Sequence, residues 1–115
     1  MSNFRYRLRE TVRILAVGEN DVKNRLELAC SKHLFMATPF FEPDLPDYFK
    51  FKYDKIIESL TQKEWGVLEI KGDRLRATLH RMHKKTASNI ALDILVLYIE
   101  YEEYVHGNFL QEKSS

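Results

Sequence analysis

Two histidines and an arginine near residue 80 are the side chains whose types and spacing could support chemistry. Arg76, His80 and His83 fall within about 60° of one another when residues are placed at about 100° intervals around a helix. His80 and His83 could share a metal ion, but a closed metal site requires three or four ligands. No second pair of Cys or His residues stands at helical or turn spacing. We therefore predict no metal site and no cofactor.

This spacing resembles that of HEPN-type ribonucleases, which are small and usually dimeric helical bundles. In that family four to six residues separate an arginine from a histidine near the start of a late helix. Six residues lie between Arg76 and His83, and five lie between Arg74 and His80. The resemblance implies that a histidine acts as general acid or base on the RNA 2′-hydroxyl while the arginine binds the phosphate. A metal-independent ribonuclease is therefore one alternative function.

Two clusters of basic residues make nucleic-acid binding a second alternative. The first is a stripe at four-residue intervals, formed by Arg5, Arg9 and Arg13. The second comprises Arg74, Arg76, Arg81, Lys84 and Lys85, with His80 and His83 among them. Like charges this close repel one another, and phosphate groups would offset the repulsion. Antiparallel pairing with a second copy would do so too, through the acidic residues Glu100, Glu102 and Glu103.

The composition predicts one soluble domain in a reducing compartment. The chain has 115 residues, of which 44% are hydrophobic and 30% charged, as is typical of a globular protein with its own core. The net charge of +1 creates no long-range attraction for phosphate. Cys30 is the single cysteine, so an intramolecular disulfide is excluded. No run resembles a signal peptide, and Ile90–Ile99 is far short of the ~20 apolar residues that span a bilayer. We expect a cytoplasmic protein without a membrane partner.

Four helical patterns predict an all-α fold. The first is expected at about Asn3–Ala16, with Gly18 as its C-terminal stop. The second runs from a cap at Asn20 or Asp21 to about Phe35, and the third from Pro46 to near Gln62. The proline-rich segment ATPFFEPDLP separates the second helix from the third, and KEWGVLEIKGD is expected to be a loop. The residues predicted to face the core are Phe4, Leu8, Val12, Leu15, Val22, Leu26, Ala29, Cys30, His33, Phe49, Tyr53, Ile56, Ile57 and Leu60.

The fourth pattern is the longest, and Asp73 is expected to cap it. Its apolar register comprises Leu75, Leu79, Met82, Thr86, Ile90, Ile94, Leu97 and Tyr101. An unbroken helix to Val105 would be about 47 Å long, and a break near Ser88 and Asn89 would shorten it. Short connections favour a compact up-and-down bundle of about four helices with a long C-terminal helix. We predict a single domain at residues 1–107 and a flexible tail at 108–115.

The second half of this fourth helix has more apolar surface than one core-facing side requires. Leu92, Val96 and Ile99 point away from the core register, and Leu95 lies nearly opposite to it. A helix that is apolar all round is buried either by its own domain or by another chain. Phe51 projects from the third helix opposite to its core side, either as a lone exposed aromatic residue or as part of a small docking patch with Phe40 and Phe41, and we include it in the predicted interface. We predict a non-enzymatic interaction module, a homo-oligomer or a subunit of a larger assembly, with no small-molecule substrate.

Overall fold

The computed structural model describes residues 3–18, 21–37, 45–61 and 71–107, and for residues 3 and 71–74 it describes the backbone alone. This part of the chain contains five α-helices, one short 3₁₀ turn and no strand. They are α1 (Asn3–Val17), α2 (Val22–Lys32), the 3₁₀ turn (Leu34–Met36), α3 (Asp47–Leu60), α4 (Lys71–Arg81) and α5 (Lys84–Val105). The predicted all-α fold with a long C-terminal helix is confirmed. The predicted loop KEWGVLEIKGD is wrong at its end, because Lys71, Gly72 and Asp73 are helical in α4. Residues 63–70 of that loop, residues 38–44 of the proline-rich segment and the predicted tail at 108–115 lie outside the described residues.

Helices α1 and α2 run in opposite directions. Arg7 near the start of α1 donates from Nη1 to Nδ1 of His33, just beyond the end of α2, at 3.0 Å. Arg25 near the start of α2 donates to the carbonyl oxygen of Leu15, near the end of α1, at 2.9 Å. Because each contact joins the beginning of one helix to the end of the other, the two helices are antiparallel neighbours.

The ends of these helices are set by two residues that the sequence singles out. Gly18 follows the last residue of α1, as predicted, and a Cβ atom there would lie 2.5 Å from the Cγ and Cδ atoms of Arg25. Glycine is therefore needed for the close approach of Arg25. Asp21, one of the two predicted caps, begins α2 by accepting the backbone N–H of Asn24 at 3.0 Å.

The core lies where α1, α2 and α3 meet α5. Tyr101 on α5 packs edge-on against Phe4 on α1, with ring centroids 5.1 Å apart, and against Phe49 on α3, at 5.5 Å. Of the predicted core residues on the first three helices, those that are buried are Phe4, Leu8, Leu26, Ala29, Cys30, Phe49, Tyr53, Ile56 and Leu60. Val12, Leu15, Val22, His33 and Ile57 are half-buried. Thr11, which the apolar pattern missed, is also buried and donates to the carbonyl oxygen of Arg7 at 2.7 Å.

The predicted fourth helix is interrupted at residues 82–83. His83 has extended backbone angles (φ −74°, ψ 151°) and precedes α5 as its N-cap. A break near Ser88 and Asn89 is therefore the wrong position, since both residues lie inside α5. Asp73 is not the cap of α4, because α4 already begins at Lys71.

The interruption changes which residues at the beginning of α5 are buried. Thr86 is exposed, although the apolar register placed it in the core, and Ala87 is fully buried instead. Ala87 follows Met82 by five residues, whereas a continuous helical face repeats every three or four. Helix α4 packs against α2 and α3, and α5 packs against α1, α2 and α3. The break therefore lets both halves cover one core. No helix in the described ranges is long and apolar enough to cross a membrane.

Candidate interaction surface

Four apolar residues of α5 form an exposed face, which we name the outer face of α5. Their exposed fractions are 55% for Leu92, 38% for Leu95, 43% for Val96 and 46% for Ile99. On the opposite side of the same helix, Ile94 and Leu97 are 0% and 2% exposed. The predicted orientation of all four outer residues is therefore confirmed. That another chain covers them stays a prediction.

Phe51 lies beside this outer face. It is 59% exposed on α3 and lines a groove of about 350 Å³ between α3 and α5. Leu92 and Val96 line the same groove from α5. The remaining lining residues are the apolar Ile56, Ile90 and Leu97 and the polar or charged Lys52, Lys55, Ser59, Asp93 and Glu100. Residues predicted separately from two distant segments thus meet in one surface feature.

Helix α3 is held antiparallel alongside α5. At its beginning the Tyr48 hydroxyl donates to Oε1 of Glu100 at 2.7 Å. Towards its end Ser59 lines the groove together with Ile90, near the beginning of α5. Burial, together with the hydrogen bond to Glu100, raises the pKa of Tyr48 to about 12, so its hydroxyl stays protonated and keeps donating at neutral pH. This alignment places Phe51 beside the middle of α5.

The outer face carries opposite charges at its two ends. Lys85 is in the first turn of α5 and Glu103 is in the last, and both are exposed. At about 100° per residue they lie on nearly the same side of the helix as Leu92 and Val96. Within the described part of the chain neither Lys85 nor Glu103 has an ion-pair partner.

Glu102, another member of the predicted acidic run, is paired within the chain. Arg5 on α1 donates from Nε to Oε2 at 2.8 Å and from Nη2 to Oε1 at 2.9 Å. These hydrogen bonds, which Coulomb attraction strengthens, lower the pKa of Glu102 and raise the pKa of Arg5. Glu100 already accepts from Tyr48. Among the three predicted acidic residues, Glu103 is therefore the one without a hydrogen-bond or ion-pair partner for its side chain in the described residues.

Most of the predicted nucleic-acid-binding arginines also lie next to carboxylates. Arg9 Nε is 3.8 Å from Glu10 Oε2, and Arg13 Nη1 is 3.7 Å from Glu10 Oε1. Arg76 Nε is 3.0 Å from Oε2 of Glu27 on α2.

Three of the predicted nucleic-acid-binding cations are exposed and have no ion-pair carboxylate in the described residues. They are Arg81, Lys84 and Lys85, where α4 meets α5. Lys84 is near enough to Asp21 to contribute to the lowered pKa of that carboxyl, after the hydrogen bond from Asn24. The side chain of Arg74 lies outside the described residues. Nucleic-acid binding stays a prediction, and it now depends on these exposed cations where α4 meets α5.

The predicted catalytic residues do not share one helix. Arg76 and His80 are on α4, whereas His83 lies beyond its end as the N-cap of α5. The expected alignment of all three is therefore wrong, because the helix stops at Arg81. All three side chains are exposed, and ribonuclease activity stays a prediction.

The remaining titratable candidates are Cys30 and His33. Cys30 is fully buried, as predicted, and burial raises the pKa of its thiol. The described residues contain no group of three or more His, Cys, Asp or Glu side chains that could hold a metal ion. His33 is half-buried and accepts at Nδ1 from Arg7, a contact that the sequence did not reveal. Burial and the neighbouring charge of Arg7 lower the pKa of His33.

No protein-family model, curated protein or solved structure matches this chain. A function can therefore be inferred only from the surface itself. That surface combines the groove between α3 and α5, the outer face of α5, and opposite charges at the ends of this face.

Proposed function

We propose that this chain is a non-enzymatic interaction module that associates with a second copy of itself through the outer face of α5 and the adjoining groove. The observation that carries the proposal is the meeting of Phe51, Leu92 and Val96 in that groove. The apolar surface continues around α5 onto Leu95 and Ile99. Five large apolar side chains from two helices thus lie in one region instead of being scattered singly.

Burial of such a surface is energetically favourable. Removing apolar area from water contributes about 25 cal/mol for each Å². Soluble monomers rarely expose a large contiguous apolar patch, and those that do commonly use it to bind a partner. Exposed fractions of 55% at Leu92 and 59% at Phe51 leave much of each side chain available for such burial.

The size of the surface supports an interface that includes α3. The 22 residues of α5 form a rod about 33 Å long and about 10 Å wide. Such a strip is smaller than the roughly 800 Å² of accessible surface that each partner in a stable complex buries. The outer face of α5 is therefore not sufficient alone. Phe51 and the groove extend the apolar surface beyond α5 onto α3.

The charges favour a second copy as the occupant. The same surface carries a cation, Lys85, at one end and an anion, Glu103, at the other. A surface with both signs is complementary to itself when the two copies are suitably rotated, and closed two-fold dimers are the commonest oligomers. A wholly acidic or wholly basic partner would be repelled by one end.

Light scattering at micromolar concentration tests the proposal. We expect the wild-type chain to have twice the 13.7 kDa mass of one copy. The double variant Leu95→Glu/Ile99→Glu should be a folded monomer, because it would bury unpaired charge at the interface while leaving the core unchanged. The matched control is Leu28→Glu on α2, where a leucine of similar exposure, 47%, lies on another helix. This control should remain a dimer.

Three outcomes would contradict the proposal. One is a wild-type chain that is monomeric at hundreds of micromolar. Another is a double variant that remains dimeric, because association would then use a different surface. The third is a double variant that loses its helical circular dichroism, because Leu95 and Ile99 would then stabilise the fold of the single chain.

A further inference from the structure

We infer that the two copies pair with their α5 helices antiparallel, so that Lys85 of each copy meets Glu103 of the other, an arrangement that rests on the proposed self-association. The two-fold axis passes α5 at the level of Ile94. Two ion pairs then flank a central apolar contact between the two outer faces.

The spacing of the residues along α5 specifies this register. Lys85 and Glu103 each lie nine residues from Ile94, or about 13.5 Å along the helix. Leu92 and Val96 each lie two residues from the same position. In a two-fold interface, contact of one residue with another is repeated with the roles exchanged. A single axis therefore pairs Lys85 with Glu103 and Leu92 with Val96, each of them twice.

Helix electrostatics favour the antiparallel arrangement. The beginning of a helix carries a partial positive charge and its end a partial negative charge. Lys85 and Glu103 therefore each lie at the unfavourable end of their own helix. When a second α5 lies antiparallel, Lys85 lies beside the negative end of that helix and Glu103 beside its positive end. Charges that are unfavourable in the single chain become favourable in the dimer.

A parallel pair would have the opposite effect. It would set Lys85 against Lys85 and Glu103 against Glu103, and like charges facing one another across an interface weaken association. The helix ends of equal sign would also lie side by side. The antiparallel register is thus the arrangement in which the apolar contacts and both charged ends are satisfied together.

Cross-linking between variants that each gain one exposed cysteine tests the orientation. The native Cys30 is fully buried and reacts poorly, so Lys85→Cys and Glu103→Cys supply the reactive thiols. Mixing the two variants and adding a short bis-maleimide should give a covalent dimer containing one of each. Lys85→Cys alone should not cross-link, because its two thiols would be about 27 Å apart along the helix. Leu28→Cys is the matched control and should not cross-link either.

Each cross-linking result has a defined meaning when the mass of the untreated variants is measured alongside. Monomeric wild-type protein would contradict the proposed self-association. Dimers in which Lys85→Cys cross-links to itself, or in which the mixture does not cross-link, would overturn the antiparallel register while leaving self-association intact.

A charge exchange provides a second, reagent-free test. Lys85→Glu should raise the dissociation constant about tenfold, because two pairs become repulsive. Adding Glu103→Lys to the same chain should restore the dissociation constant to within about threefold of wild type. Lys85→Glu also improves the charge at the beginning of its own helix, so weaker association would not result from unfolding. A dissociation constant that Lys85→Glu leaves unchanged, or that the second substitution fails to restore, would overturn the inference.

Discussion

The two faces of α5 are built from the same kinds of side chain, yet the described part of the chain covers only one of them. Ile94 and Leu97 pack against the core, whereas Leu95 and Ile99 are between a third and a half exposed. The difference lies in what surrounds the helix, because α1, α2 and α3 all pack on one side of it. An apolar pattern therefore identifies both surfaces, but only the packing of the other helices shows which of them folding covers.

Alanine substitution of one leucine on each face should give the largest difference between the faces, measured as the free energy of unfolding. Leu97→Ala removes a buried side chain and leaves a cavity, so the free energy of unfolding should fall by roughly 2–5 kcal/mol. Leu95→Ala removes the same atoms from the outer face and should change the unfolding free energy by less than about 0.5 kcal/mol. Urea denaturation at a concentration low enough to keep both proteins monomeric measures the two values.

The same pair of variants gives a second result at high protein concentration. Association stabilises the folded chain, so the Leu95→Ala chain should then lose stability relative to wild type. A Leu95→Ala variant that is as destabilised as Leu97→Ala in dilute solution would remove the distinction between the faces.

A change of pH should alter the free energy of unfolding but not the dissociation constant of the dimer, and this effect is smaller. The pKa of His33 is lowered by burial and by Arg7, so the folded chain prefers the neutral imidazole while the unfolded chain binds a proton first. This contribution to stability is complete above a pH of about 6.5 and is lost as the pH falls through the lowered pKa. Urea midpoints should therefore decrease between pH values of about 7.5 and 5.5, and less so in His33→Gln.

Association should stay constant over the same pH range. His33 contacts Arg7 on α1 and is not one of the residues of the outer face of α5. An equal loss of stability in wild type and His33→Gln would show that another group is responsible. A dissociation constant that changes with pH in wild type but not in His33→Gln would contradict this prediction. Association would then depend on the contact between His33 and Arg7, and not on the outer face of α5 alone.

The sequence predicts more of the fold than of the surface chemistry. Local apolar periodicity predicts the all-α fold class and the exposure of Leu92 and Ile99. The residue types at Gly18 and Asp21 predict the end of α1 and the beginning of α2. The break before α5 was missed because Thr86 continued the apparent register. Ala87, three residues before Ile90, is the residue that the structure buries in place of Thr86.

Contacts between distant residues account for the other differences. Arg5 looked like one member of a basic stripe, but its partner Glu102 lies 97 residues further along the chain. The groove likewise depends on Phe51 and Val96 coming together from two helices. Local sequence patterns contain no information about such pairs, because helix packing decides which residues meet.

The claim that the outer face of α5 joins two copies can be tested by nuclear magnetic resonance of a mixed dimer. One copy would carry isotope-labelled methyl groups and the other would be unlabelled, so that filtered nuclear Overhauser effects report contacts between copies alone. We predict such contacts from the methyl groups of Leu92, Leu95, Val96 and Ile99, and none from Leu28. Contacts between copies from Leu28 but not from the outer face of α5, or their complete absence at high concentration, would contradict the claim.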